Sequence, residues 1–90
     1  MKAYQLLDSE DKWTKQVVAR NASNNACDPT DEKAIRWCAL GAILRCYNGT
    51  SAYEAENKLY EVITRHQSIG EWNDTNNYET VVETLKEIGI

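Results

Sequence analysis

Phenylalanine is absent from this 90-residue chain, proline and histidine occur once each, and glycine occurs four times. So little Pro and Gly excludes collagen-like and low-complexity classes. Cysteine is also scarce. Cys27, Cys38 and Cys46 are odd in number and form no Cys-x-x-Cys pair. With His66 as the single histidine, these spacings exclude a structural zinc site and a disulfide framework, and no cofactor is expected. No apolar run approaches the roughly 20 residues of a membrane helix. The stretch Met1-Lys2-Ala3-Tyr4-Gln5 lacks the apolar core of a signal peptide. A cytoplasmic protein is the expectation. Positive charge is short as well: the net charge is −4. Residues 1–46 hold seven Lys/Arg against six Asp/Glu, and residues 47–90 hold three against eight. No basic face is available to neutralise phosphates, so direct nucleic-acid binding is not expected.

What remains is ordinary for one small globular domain spanning 1–90, with 42% apolar and 27% charged residues. The longest stretch without turn signals is Ala34-Ile35-Arg36-Trp37-Cys38-Ala39-Leu40-Gly41-Ala42-Ile43-Leu44-Arg45-Cys46-Tyr47. Stepped at 100° per residue it is apolar nearly all round, which predicts a buried central helix over about 29–47. Asp28-Pro29-Thr30-Asp31 supplies a plausible start, and Asn48-Gly49 a stop. Gly41 costs such a helix roughly 1 kcal/mol against alanine. The stripe of Ala34, Cys38, Gly41 and Ala42 predicts an offset: close approach of another backbone.

Around this helix the pattern predicts amphipathic partners. Ala3, Leu6 and Leu7 suit a short helix. Residues 13–19 read equally as helix or strand, because Thr14, Val17 and Val18 are β-branched. Asn21-Ala22-Ser23-Asn24-Asn25 is a polar loop. Ser51 and Glu54 form a capping box before Ala52, Ala55, Leu59, Val62 and Ile63, with Glu54–Lys58 and Glu61–Arg65 as favourable pairs. Glu71-Trp72-Asn73-Asp74 is a connection, and residues 76–79 cap a last helix buried through Tyr78, Val81, Val82, Leu85 and Ile88. The expected fold is all-α, a compact bundle of about four helices.

Trp13, the segment from Ala34 to Ile43 with its Trp37-Cys38-x-x-Gly41-Ala42 core, and Trp72-Asn73-Asp74 resemble the pattern of a family of small, functionally uncharacterised proteins of bacteria and their phages. Val81, Val82 and Leu85 match its apolar end. The resemblance supports the fold and carries no established activity.

Three sets of residues are candidates for function. Cys38, His66 and Asn73 or Asp74 are the residue types of a cysteine hydrolase. Against this, Cys38 falls about ten residues inside the expected helix, beyond the reach of the helix N-terminus, and a buried free cysteine is a common small hydrophobe. Trp72, Asn73 and Asp74 make a candidate functional loop; their architectural role would be to plug the bundle and cap, with Asp74 pairing to Arg36. Glu79, Glu83 and Glu87 form an acidic ridge that, with Glu54, Glu61 and Glu71, would present a negative surface to a basic groove on a protein partner. Trp13, Trp37, Cys38, Gly41 and Ala42 are the expected structural core. The functional expectation is a small non-enzymatic protein-interaction module, in its sharpest form a phage-encoded inhibitor of a host defence protein. The alternatives are a thiol enzyme using Cys38, and a homodimer formed through Tyr47, Tyr53 and Tyr60.

Overall fold

Local sequence determines where each element starts and stops. The computed structural model describes residues 1–63 and 67–90. Helix α1 (Ala3–Leu6) is followed by a 3₁₀ turn (Glu10–Lys12) entered through Ser9. Strands β1 (Ala19–Asn21) and β2 (Ala34–Trp37) form a two-stranded antiparallel sheet. Helices α2 (Ala39–Cys46), α3 (Gly49–Tyr60), α4 (Ile69–Thr75) and α5 (Tyr78–Ile88) follow. The domain is therefore mixed α/β, which corrects the all-α expectation.

The correction centres on the stretch read as one buried helix. Asp28 and Asp31 do not open a helix. The Asp28 carboxylate accepts from the Thr30 N–H at 2.8 Å, and that of Asp31 from the Lys33 N–H at 2.8 Å. Such side-chain bonds two residues ahead make turns that compete with the helix. The chain then extends through Ala34–Trp37, with Ala34 and Trp37 buried and Ile35 exposed. Only at Cys38 does helix begin. A buried strand running into a buried helix gives the same uninterrupted apolar run as one long helix.

The segment left open between helix and strand is extended where it meets β2. The Thr14 N–H donates to the Trp37 carbonyl at 3.1 Å, and Ala19 pairs with Trp37 in the β ladder. The sheet lays the Val18 carbonyl against α2. A Cβ built on Gly41 would lie 1.8 Å from that oxygen. The expected close backbone approach at Gly41 is thus present, and Val18 supplies it.

The later helices are capped by short polar side chains. The Ser51 hydroxyl accepts from the Asn48 N–H at 3.2 Å at the start of α3. The Ser68 hydroxyl accepts from the Glu71 N–H at 3.0 Å, so Ser68 opens α4. Asn77 accepts from the Thr80 N–H at 2.8 Å. Gly89, at φ 77°, closes α5 in the left-handed conformation, and the Ile90 N–H returns to the Leu85 carbonyl at 3.1 Å. Leu7, Ile43, Leu59, Ile69, Val81 and Leu85 are fully buried between these helices. The expected Glu54–Lys58 pair is not closed; among the described residues the ion pair is Lys12–Asp8, and Arg65 lies outside them. No described helix is long and apolar enough to cross a membrane.

Candidate functional site

Trp72, Asn73 and Asp74, expected in a connection, lie within α4. Asn73 is completely buried. Its amide oxygen accepts from the Trp13 indole at 2.7 Å and from the Ala39 N–H at 2.9 Å. Its amide nitrogen donates to the Thr14 carbonyl at 3.0 Å and to the Asp74 carboxylate at 3.2 Å. The side chain thus uses both acceptor positions and both donors, the most an amide can make. It ties the N-terminal segment, the first turn of α2 and α4 at one point.

Two parts of the sequence pattern that stand 60 residues apart, Trp13 and Asn73, are therefore bonded to each other. The model of a family of unknown function, DUF6197, matches residues 1–88. The chain belongs to that family. No curated protein and no solved structure matches it. The membership of this DUF6197 chain establishes the family without supplying an activity.

Beside the Asn73 junction lies a cleft of about 140 Å³, walled by Val17, Val18, Leu40 and Gly70, with Cys38 and Asp74 on its lining. Asp74 Oδ1 accepts from the Gln16 N–H at 2.9 Å as well as from Asn73. To present that N–H, Gln16 takes φ 75°, the left-handed region that costs most side chains about 1 kcal/mol or more. Arg36, the expected partner of Asp74, forms no ion pair with it among the described residues.

Cys38 is not inside a helix but at the N-cap of α2, where its sulfur accepts from the Gly41 N–H at 3.3 Å. This corrects the expected position about ten residues inside a helix. The thiol is nonetheless only 4% exposed. Burial pushes its pKa upward and the Asp74 charge adds to that, against the lowering effect of the α2 N–H groups. His66, the expected base, lies outside the described residues. Cys27, Cys38 and Cys46 are all free thiols. Among the described residues no three His, Cys, Asp or Glu side chains gather as a metal site would require.

The core candidates divide by depth. Trp37, Cys38, Gly41 and Ala42 are buried, and Trp13 is half-buried. Trp37 donates its indole N–H to the Pro29 carbonyl at 3.0 Å under the Arg45 guanidinium, which lies 5.5 Å from the ring. Arg45 also donates to the Asp31 carbonyl at 2.8 Å, so both residues fix the turn before β2. Neither Arg45 nor Pro29 stood out in the sequence as part of a joint site.

Glu79, Glu83 and Glu87 are exposed along α5. The fold brings other carboxylates to the start of that helix. The Tyr78 hydroxyl donates to the Leu7 carbonyl at 2.6 Å, which seats the Asp8–Asp11 segment beside Glu79. Tyr78 registers the result: its phenol is pushed up first by burial, then by the charges of Asp8, Glu10, Glu79 and Asp11. Sequence reasoning missed Asp8, Glu10 and Asp11, because the two segments are some seventy residues apart. Glu61 and Glu71 are exposed at the end of α3 and in the first turn of α4. Glu54 lines a separate groove with Lys2, Tyr47 and Lys58.

Proposed function

We propose that this DUF6197 chain is a non-enzymatic interaction module that presents an acidic surface to a basic protein partner. What supports the reading is that the Tyr78–Leu7 bond brings Asp8, Glu10 and Asp11 to Glu79, the first of the exposed α5 carboxylates. Single exposed charges are worth little, but a cluster of one sign raises encounter rates. The sharper form of the proposal is a phage-encoded inhibitor of a host defence protein, which takes its motive from the family resemblance.

Affinity capture from a bacterial lysate supplies the partner. The Glu79→Gln, Glu83→Gln, Glu87→Gln triple variant is then compared with the parent. Association should slow about tenfold at low salt, and the salt dependence should shrink. Equal affinity and equal salt dependence would reduce the ridge to a solvated helix face.

The thiol-enzyme reading gains the helix-cap position of Cys38 but faces its burial and raised pKa. The homodimer reading gains the exposure of Tyr53 (66%) and Tyr60 (49%). It loses Tyr47, whose hydroxyl donates inward to the Ile90 carbonyl at 3.0 Å.

A further inference from the structure

The cleft beside Asn73 combines two features that one side-chain type satisfies together. Its walls are apolar, from Val17, Val18 and Leu40, and its volume is about 140 Å³. Its lining carries one carboxylate held in a fixed orientation. Asp74 Oδ1 is anchored by the Gln16 N–H and the Asn73 amide, while Oδ2 receives no hydrogen bond from the described residues. An anion is a poor occupant: the charged side chain on the lining is itself a carboxylate, and the Ala39 and Gly41 amides of α2 are already used. The Ala39 N–H goes to Asn73 and the Gly41 N–H to the Cys38 sulfur. A neutral apolar group would leave the free carboxylate oxygen unpaired.

We infer that this cleft receives a lysine or arginine side chain of the protein partner, its aliphatic stem against Val17, Val18 and Leu40 and its cationic head on Asp74. Long basic side chains bury their methylene stems on apolar surface while the head seeks a charge, and a charge-assisted bond to a fixed carboxylate is stronger than a neutral one. The cleft has room for one such side chain. The inference rests on the proposed basic partner and adds to it a discrete anchor: the ridge steers the approach, and the cleft sets the register. The left-handed Gln16 has a role in this arrangement, since its N–H fixes the oxygen that would otherwise rotate away from the anchor.

The test needs no partner. Isotope-labelled protein is titrated with n-butylammonium and n-propylguanidinium, which are the basic side chains without backbone, and with 1-butanol as the neutral control. The cations should shift the resonances of Val17, Val18, Leu40 and Gly70 saturably, with affinity at least about tenfold above that of butanol. Asp74→Asn, which keeps an oxygen for the Gln16 N–H, should erase that preference. Val17→Trp, which plugs the cleft from its rim with Asp74 intact, should block both cations and serves if Asp74→Asn fails to fold. Butanol binding as well as the cations, or cation preference surviving either folded variant, would overturn the inference. The Glu79→Gln, Glu83→Gln, Glu87→Gln variant should bind the cations at the cleft as the parent does. A failed cleft therefore remains distinguishable from a failed ridge.

Discussion

The Asn73 junction and the outer face of α5 use polar groups in opposite ways. At the junction one buried amide makes four hydrogen bonds, and every partner belongs to the protein. Along α5 the carboxylates of Glu79, Glu83 and Glu87 are exposed, and none joins an ion pair among the described residues. A buried polar group is kept because removing it orphans its partners. An exposed charge is kept on other grounds, since its loss leaves folding nearly unchanged. The two regions thus separate what holds the domain together from what it offers to other molecules.

The sharpest way to break the first region is Gly41→Leu. A Cβ there meets the Val18 carbonyl at 1.8 Å, and that carbonyl is tied into the sheet by the Cys38 N–H at 3.2 Å. Val18 cannot retreat without losing the bond. The variant should lose about 4 kcal/mol or more, enough to unfold a small domain, as read by chemical denaturation. A variant with an unchanged midpoint would mean that the Val18 backbone does not press on α2.

Next comes Asn73→Ala. It leaves the Trp13 indole, the Ala39 N–H and the Thr14 carbonyl without partners, at an expected cost of about 3 kcal/mol. Hydrogen exchange should show Ala39 and the segment around Trp13 losing protection together. Loss at one site alone would contradict a single shared tie.

A third variant separates structure from titration. Burial raises the Cys38 thiol above its ordinary pKa of 9.0. The unfolded chain therefore releases this proton at lower pH than the folded chain. The stability it contributes is complete below pH 9.0 and is lost as pH rises through the folded value. Cys38→Ser keeps an acceptor for the Gly41 N–H and removes the ionisation. Its stability should fall less steeply above pH 9.0 than that of the parent, measured by denaturation across that range. An equal slope would assign the alkaline loss to Cys27, Cys46, Tyr47 and Tyr78, whose pKa values are raised as well.

The smallest effect on stability belongs to the second region. Replacing Glu79, Glu83 and Glu87 with glutamine should change unfolding free energy by no more than about 0.5 kcal/mol, because it removes only mild repulsion between charges four residues apart. A large loss would show that the ridge is part of the scaffold and dissolve the contrast with Asn73.

Segments with regular apolar spacing or a polar run could be read directly: α1 from Ala3 and Leu6, the polar loop at 22–25, and α5 with Asn77 before it. The demand of Gly41 for a close neighbour could be read too, since only an offsetting contact explains a glycine there. The neighbour itself could not, because Val18 sits in a stretch whose β-branched residues fit helix and strand alike. Cys38 was misplaced for two reasons. A thiol is not among the usual capping side chains, and four strand residues, three of them apolar, precede it without a turn. Asn73 was assigned the wrong surroundings, since nothing in the Trp72-Asn73-Asp74 triplet distinguishes a solvated loop from a buried bridge. Of the acidic surface, the α5 part follows from helical spacing. The Asp8–Asp11 part depends on the Tyr78 hydroxyl reaching Leu7, a tertiary contact with no local signature.

The Asn73 bridge also bears on the order in which the domain can assemble during synthesis. The chain emerges from its N-terminus, so Trp13, Thr14 and Ala39 are all made well before residue 73. Until α4 follows them, the Trp13 indole, the Thr14 carbonyl and the Ala39 amide have only water or one another for company. Neither the N-terminal segment nor the start of α2 has its latch in a nascent chain that stops short of α4. Completion of the fold is therefore tied to a late-arriving side chain rather than to the first elements translated.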